Sequence, residues 1–428
     1  MNDTRPGARL RAAVLALTMA ASTAVAVTVA TAPAAAAPPA NDFVMDWTAY
    51  PAADNIPMVK ASMTAVFGDG NRNAVLNGNE CAAAKNGADE AAYPKYWYCF
   101  DSGDTSSFYN GPDDGVSAWI PQAVTTTADA LDDEDWNGNK GIIVGWYHEG
   151  GSGVRISVLN TATNTYRHVL LANPYWDGER YTYKALKGLH AGGMAWYGDY
   201  LYVVDTFYGI RVFDTKHIFD LGASTNGTTS CSGIGYVDTN ANGVADKYCA
   251  STYKYVMPQV GMWQQAGTAG RDPNSAVYCE ADSGDSRYST ISIDRDARPR
   301  HQLVVGEYCD GGEASNGRVV AYDMDDHRLM DGVPDASWDL PVRRVQGVAS
   351  AGGYVFLNQS NTAVNAGRLF RATRSGGALT VVGQGLAAPI GPEALSVWRS
   401  RSEVWSVTEH KHATGNGRRM LYAMPTSW

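Results

Sequence analysis

The chain has 428 residues and a formal net charge of −10, with 34 Lys and Arg against 44 Asp and Glu. Nothing basic is concentrated to neutralise phosphates, which excludes nucleic acid and anionic membrane surfaces as expected partners. The opening residues read as an address. Arg5, Arg9 and Arg11 precede a long apolar run that ends in "PAAAAPPANDF". A basic start, an apolar centre and small residues before a cut predict a secretory signal peptide over 1–36, with cleavage near Ala36. No adjacent Arg pair is present in this leader, so the general export route is expected. No later apolar run approaches the ~20 residues that span a bilayer. The remaining 37–428 is therefore expected to be a secreted, extracellular, soluble protein.

Along the chain, one grammar recurs: an apolar, β-branched and aromatic run, a polar or glycine-containing turn, then a second such run. It appears at 141–161, 200–215, 302–324, 354–373 and 404–424. These are hairpin signals, and no segment after the leader holds a helical period, so the fold class is all-β. Short polar-then-apolar elements precede most hairpins, at Gln122, His190, Gln259, Gln346 and Glu393. Their uneven spacing implies a repeat of roughly 40–50 residues carrying insertions. The six cysteines Cys81, Cys99, Cys231, Cys249, Cys279 and Cys309 form an even set without a C-x-x-C spacing. In an exported chain that favours disulfides over zinc. Of the 15 pairings that six cysteines allow, the nearest-neighbour set (81–99, 231–249, 279–309) makes three local staples across loop insertions.

The strands "GIRVFDT" (209–215) and "RVVAYDMD" (318–325) resemble the third strands of β-propeller blades, and the whole repeat is similar to the β-propeller superfamily in general. The resemblance implies a single propeller over 37–428, with six blades, or five as the alternative. On this reading 57–120 is a degenerate first blade and 122–428 supplies the others. The run "DFVMDWTAY" (42–50) is then the outer strand that closes the last hairpin.

In a blade, the residues before the first strand and those ending the second meet at one face. The first set is Gln122, His190, Gln259, Gln346 and Glu393; the second is Asp101, His148-Glu149, Asp205, Glu307 with Asp310, Asn358-Gln359 and Glu409-His410. Carboxyls among apolar runs and imidazoles near neutrality suit acid–base chemistry. The catalytic candidates are therefore His190, Glu393, Glu307, His410, Glu409 and His148. The substrate-binding candidates are Gln122, Gln259, Gln346, Asp205, Trp146 and Tyr308. Aromatic faces beside amides and carboxylates suit a glycan or another small polar substrate. The expected function is an extracellular hydrolase or lyase on carbohydrate, with a non-catalytic glycan- or protein-binding module as the alternative. No oligomerisation surface is evident, so a monomer is expected.

Two loops have calcium-like spacing. "DTNANGVAD" places Asp238, Asn240, Asn242 and Asp246 around Gly243, and "DEDWNGNKG" places Asp133, Asp135 and Asn137 before Gly138. Oxygen ligands at alternate positions with a glycine at the sharp turn are what Ca²⁺ needs. Position 12 of the first loop is Cys249 rather than a bidentate acid, so structural Ca²⁺ stands against a plain Asn/Gly turn. No G-x-S-x-G elbow, H-E-x-x-H or P-loop is present.

Overall fold

The strands of this chain are apolar on both parities, which requires sheets covered on both faces. In "YLYVV", Leu201 and Val203 enter one core, while Tyr202 and Val204 enter the next. The computed structural model shows how that is satisfied. It describes residues 43–102, 113, 118–266, 279, 286–310, 315–325, 332–410 and 419–428. The expected signal peptide and most of the two D-S-G-D turns lie outside the described residues.

Strand pairing groups the described chain into five antiparallel meanders. Blade 1 is Trp119–Thr126, Gly141–His148, Val154–Asn160 and Thr165–Trp176. Blade 2 is Met194–Tyr197, Tyr200–Asp205, Gly209–Asp214 and the second half of Tyr255–Gln265. Blade 3 is Tyr288–Asp294, Gln302–Glu307, Arg318–Asp323 and Ala336–Asp339. Blade 4 is Val345–Ala351, Tyr354–Gln359, Ala366–Ser375 and Ala378–Ile390. Blade 5 is Ser396–Trp398, Glu403–Val407, Met420–Pro425 and Tyr96–Cys99. The turn between the first two strands of blade 4 shows the local logic. Gly352 and Gly353 take φ of 60° and 79°, the two positive values that a tight two-residue hairpin demands.

The first strands touch in a ring, blade 1 to 2 to 3 to 4 to 5 and back to 1. One apolar core fills each of the five interfaces. The protein is an all-β propeller, and the described strands make five blades, the smaller of the two counts the sequence allows. At the axis, backbone packs on backbone. A Cβ at Gly192 would lie 2.6 Å from the Ser289 carbonyl oxygen, and one at Gly193 2.6 Å from the Ile291 nitrogen. Only glycine permits this approach of blade 2 to blade 3. Axial hydroxyls tie neighbouring blades: Trp196 N–H donates to Thr125 Oγ1 (2.9 Å), and Val348 N–H to Thr290 Oγ1 (3.2 Å).

Two expected assignments differ from the structure. Met45–Ala49, within the expected closing strand 42–50, pairs with residues 261–265 as a fifth strand of blade 2. The last blade is completed instead by Tyr96–Cys99, paired with Met420 to Ala423. Among its described residues the segment 57–120 forms no blade of its own. Its strands before Trp119 are short, and they edge other sheets: Lys60–Ala61 on Ile218–Asp220, Arg72–Asn73 on residues 165–166, and Val75–Leu76 on Tyr96–Cys99. Such runs are too short to bury a face alone. The three disulfides are Cys81–Cys99, Cys231–Cys249 and Cys279–Cys309, the nearest-neighbour set. No described helix is long and apolar enough to cross a membrane.

The connection from blade 5 into blade 1 is anchored by a buried charge cluster. Asp113, fully buried, faces Arg72 (3.3 Å), Arg155, Tyr166 and His168 Nε2 (3.1 Å). Burial alone would raise its pKa, yet His168 and the two guanidiniums hold the carboxyl well below its usual range. Arg155 is itself wholly buried, with its guanidinium 4.3 Å from the Trp119 ring centre.

Candidate active site at the propeller mouth

Because neighbouring strands are antiparallel, the start of each first strand and the end of each second strand share a face. Blades 5 and 1 meet there. Glu393 precedes Ser396–Trp398, and Glu403–Val407 runs out to Glu409 and His410. Gln122 of blade 1 donates from Nε2 to Glu409 Oε2 at 2.9 Å. Its carbonyl accepts from Ala394 N–H at 3.2 Å, and Arg419 Nε donates to the Glu409 carbonyl at 3.1 Å. Asn358 of blade 4 buttresses the same point, donating to the Glu393 carbonyl at 2.8 Å and to Ser406 Oγ at 3.0 Å.

Glu393 has no exposed surface, and no donor among the described residues reaches either carboxyl oxygen. Burial first, and the adjacent Glu409 carboxyl second, push its pKa well above the ordinary range. Burial beside a second carboxyl therefore favours the protonated form of Glu393. Glu409 reaches the surface with its side chain 25 % exposed, and His410 Nδ1 lies 4.0 Å from it. The pair therefore joins a buried proton store to an accessible carboxyl.

Blades 1 and 2 add an aromatic wall. The Tyr147 and His190 rings lie 4.3 Å apart between centres, tilted by 38°. Burial, then Glu409, Glu393 and Glu149, push the Tyr147 phenol up to about 12, so it stays a hydrogen-bond donor. His190 is open to solvent yet sits in a recess dense with protein atoms. That burial lowers its pKa, with Glu409 pulling the other way. A neutral imidazole at neutral pH follows. Blade 3 contributes Tyr308, whose ring lies 5.5 Å from the Arg287 guanidinium and whose phenol is pushed up by burial. Gln346 accepts from Ser289 Oγ at 3.2 Å on the blade 3 to blade 4 side.

The structure thus brings together Gln122, His190, Tyr308, Gln346, Glu393, Glu409 and His410. Others are placed differently. Gln259 does not precede a first strand: it lies in the fourth strand of blade 2, bonded to Arg211 (2.8 Å) and Asn173 (3.0 Å). Trp146 is a core residue between blades, its Nε1 on Ser157 Oγ at 2.8 Å; strand alternation turns Tyr147 to the mouth instead. The Glu307 carboxylate is committed to Arg318, through N–H (2.9 Å) and Nε (3.0 Å), and to Arg287 N–H (3.2 Å). Asp205 is paired with Arg211 at 2.7 Å. His148 is buried edge-on against Trp119, and Asp101 accepts from Asn73 N–H at the end of blade 5's outer strand. Arg287 and Arg419 went unread in the sequence. Arg287 opens the first strand of blade 3, which directly follows a cysteine-bearing insertion.

The calcium-like loops shape themselves with their own donors. Asp238 accepts from Asn240 N–H (3.0 Å) and Gly243 N–H (2.6 Å). Asp246 accepts from Thr239 N–H (2.8 Å) and Asn240 Nδ2 (2.6 Å), and Asn242 from Val244 N–H (2.9 Å). In the second loop Asp133 accepts from Asp135 N–H at 3.2 Å, Asp135 from Gly138 N–H, and Asn137 donates to Thr64 at 3.4 Å. No group of three or more His, Cys, Asp or Glu able to hold a metal occurs among the described residues.

No family model matches the chain. No curated protein matches it either. Among solved structures, a GH43_1 enzyme from Xanthomonas citri is similar at 10 % identity and TM-score 0.35, over 80 % of this chain and 92 % of that one. A protein provisionally assigned as a 6-phosphogluconolactonase from Bacteroides uniformis ATCC 8492 is similar at 11 % identity and TM-score 0.31, over 83 % and 98 %.

Proposed function

We propose that the mouth is the active site of a hydrolase acting on a hydroxyl-rich, carbohydrate-type substrate. The observation that carries this is the Glu393–Glu409 pair: a wholly buried carboxyl without a donor, against an accessible one. Glu409 touches substrate and relays the proton held by Glu393 to the leaving oxygen as the C–O bond breaks. Water adds its hydroxide to the carbon and yields its proton to the neutral His190 imidazole. Glu393 acts through Glu409, as a positioning residue that holds the proton out of water. Tyr147, Tyr308 and Gln346 supply ring faces and an amide for sugar hydroxyls. Glu307 takes no part, because Arg318 holds its carboxylate.

The complete burial of Glu393 favours one other reading, a non-catalytic module that presents the same mouth to a glycan. A screen of polysaccharides and aryl glycosides for reducing-end or phenol release separates the two. Turnover lost in Glu409→Gln and reduced in Glu393→Gln supports the hydrolase. Binding without turnover in the unmodified protein removes it. Export is proposed on the leader and is consistent with three disulfides. Calcium at the 238–246 loop is a separate proposal, supported by the spacing of its oxygens. Millimolar Ca²⁺ should raise the melting temperature over a chelated sample, and Asp238→Asn should remove the difference; superimposed melts refute it.

A further inference from the structure

On the outer edge of blade 1 lies a groove that the mechanism does not use. Its volume is about 310 Å³, the size of a small-ligand site. Its walls are Trp176 and Tyr181, from the hairpin that extends blade 1, and Tyr236 from the small sheet stapled by Cys231–Cys249; Tyr248 of that sheet forms the floor. Trp176 is 53 % exposed, although it stands edge-on to Tyr181 at 4.9 Å. An isolated exposed Trp needs no explanation, but one that borders a cavity with three tyrosines does. The frame is rigid: Tyr248 Oη donates to the Tyr181 carbonyl at 2.8 Å, and Tyr236 N–H to Thr182 Oγ1 at 2.9 Å.

The charge pattern selects the occupant. Arg180 lies 4.3 Å over the Tyr236 ring, filling the place where a ligand cation would sit. Its own charge is met by Glu179 at 2.6 Å and Asp177 at 3.9 Å. The groove therefore offers an anion no unmatched positive charge, and a cation finds its aromatic seat taken. What remains are ring faces and edges beside the Asn226 and Arg180 donors. That combination fits a neutral molecule with an apolar face and a hydroxylated rim. We propose that this groove is a second binding site, independent of the mouth, for a neutral pyranose segment of an oligosaccharide or polysaccharide, with Trp176 as its stacking platform.

The test is titration with cellohexaose, xylohexaose and mannohexaose, followed by tryptophan fluorescence and calorimetry. The proteins are the unmodified chain, Trp176→Ala, Trp176→Phe and Glu409→Gln. The expected result is saturable binding of at least one hexaose, weakened about tenfold or more by Trp176→Ala and largely kept by Trp176→Phe. Glu409→Gln leaves this binding unchanged, so the groove and the mouth are read apart. Trp176 is exposed, and an unshifted melt of Trp176→Ala shows that the variant is folded. Binding of none of the three probes, or binding indifferent to Trp176→Ala, overturns the proposal. So does tighter binding of polygalacturonate than of every neutral probe. Binding lost in Glu409→Gln and kept in Trp176→Ala overturns the groove while leaving the mouth reading standing.

Discussion

Replacing Glu393 with Gln removes a buried acid whose folded pKa is held high by burial and by Glu409, while in the unfolded chain it ionises near its ordinary value of 4.5. The folded protein keeps the proton and the unfolded chain releases it. Stability from this group is therefore complete below about pH 4.5 and falls as the pH rises towards the folded value. While the native group stays neutral and the unfolded one is charged, each pH unit removes about 1.4 kcal/mol. Gln is nearly the same size and stays neutral throughout. The variant should thus gain on the unmodified protein as the pH rises above about 4.5, by about 1.4 kcal/mol per unit while the folded group stays neutral, and the gain should stop once the folded pKa is passed. Urea melts of both proteins at half-unit intervals from pH 5 to 8 measure this, with m-values compared to confirm the same transition. A difference between the two proteins that does not change with pH would refute the argument, because Glu393 would then ionise alike in both states. The expected variant is also catalytically impaired, trading activity for stability at one side chain.

Asp113→Asn should cost about 3–5 kcal/mol in the same melts, since it strands the buried Arg155 and Arg72 charges; a loss below about 1 kcal/mol would show that the cluster carries little. His168 titrates in the opposite sense. Burial first, then Arg155, lower it to about 3 in the folded protein, against Asp113. Its contribution is full above pH 6.5 and is lost as pH falls from there towards 3. His168→Asn should flatten the acid limb of stability in that window, and an unchanged limb would assign it to other groups. Cys231→Ser with Cys249→Ser opens a loop with a sequence separation of 18, worth roughly 3 kcal/mol in the chain-entropy account. Limited proteolysis should cut within 227–250 in that variant alone, and equal cleavage in both proteins would count against the staple.

Strand existence was legible in the sequence, but strand partnership was not. "YLYVV" and "GIIVGWY" declare strands buried on both faces, and the alternation of Trp146 and Tyr147 follows the pleat. By contrast, "DFVMDWTAY" and "YWYC" read equally well as an outer strand, because period two says nothing about which edge a strand joins. Gln259 was misplaced for a related reason: "PQVGMW" has the grammar of a first strand yet serves as a fourth. Tyr288–Asp294, the true start of blade 3, was hidden behind its cysteine insertion. At the site, Glu393 and Glu409 were legible as acids next to apolar runs. The contact between them follows from the first hairpin of blade 5, where Pro392 bridges Thr408, whereas the bridge from Gln122 depends on ring closure and could not be read locally.

The strand Tyr96–Cys99, which completes blade 5, leaves the ribosome long before its partners Met420 to Ala423. At roughly 5–20 residues per second, its hydrogen-bonding edge waits on the order of tens of seconds for a mate. In that interval it is a template for any passing chain. The flanking Lys95, which later pairs with Glu403 at 3.1 Å, is placed where a charge discourages such pairing. Synthesis of Met420 to Ala423 thus ends the exposure of that edge.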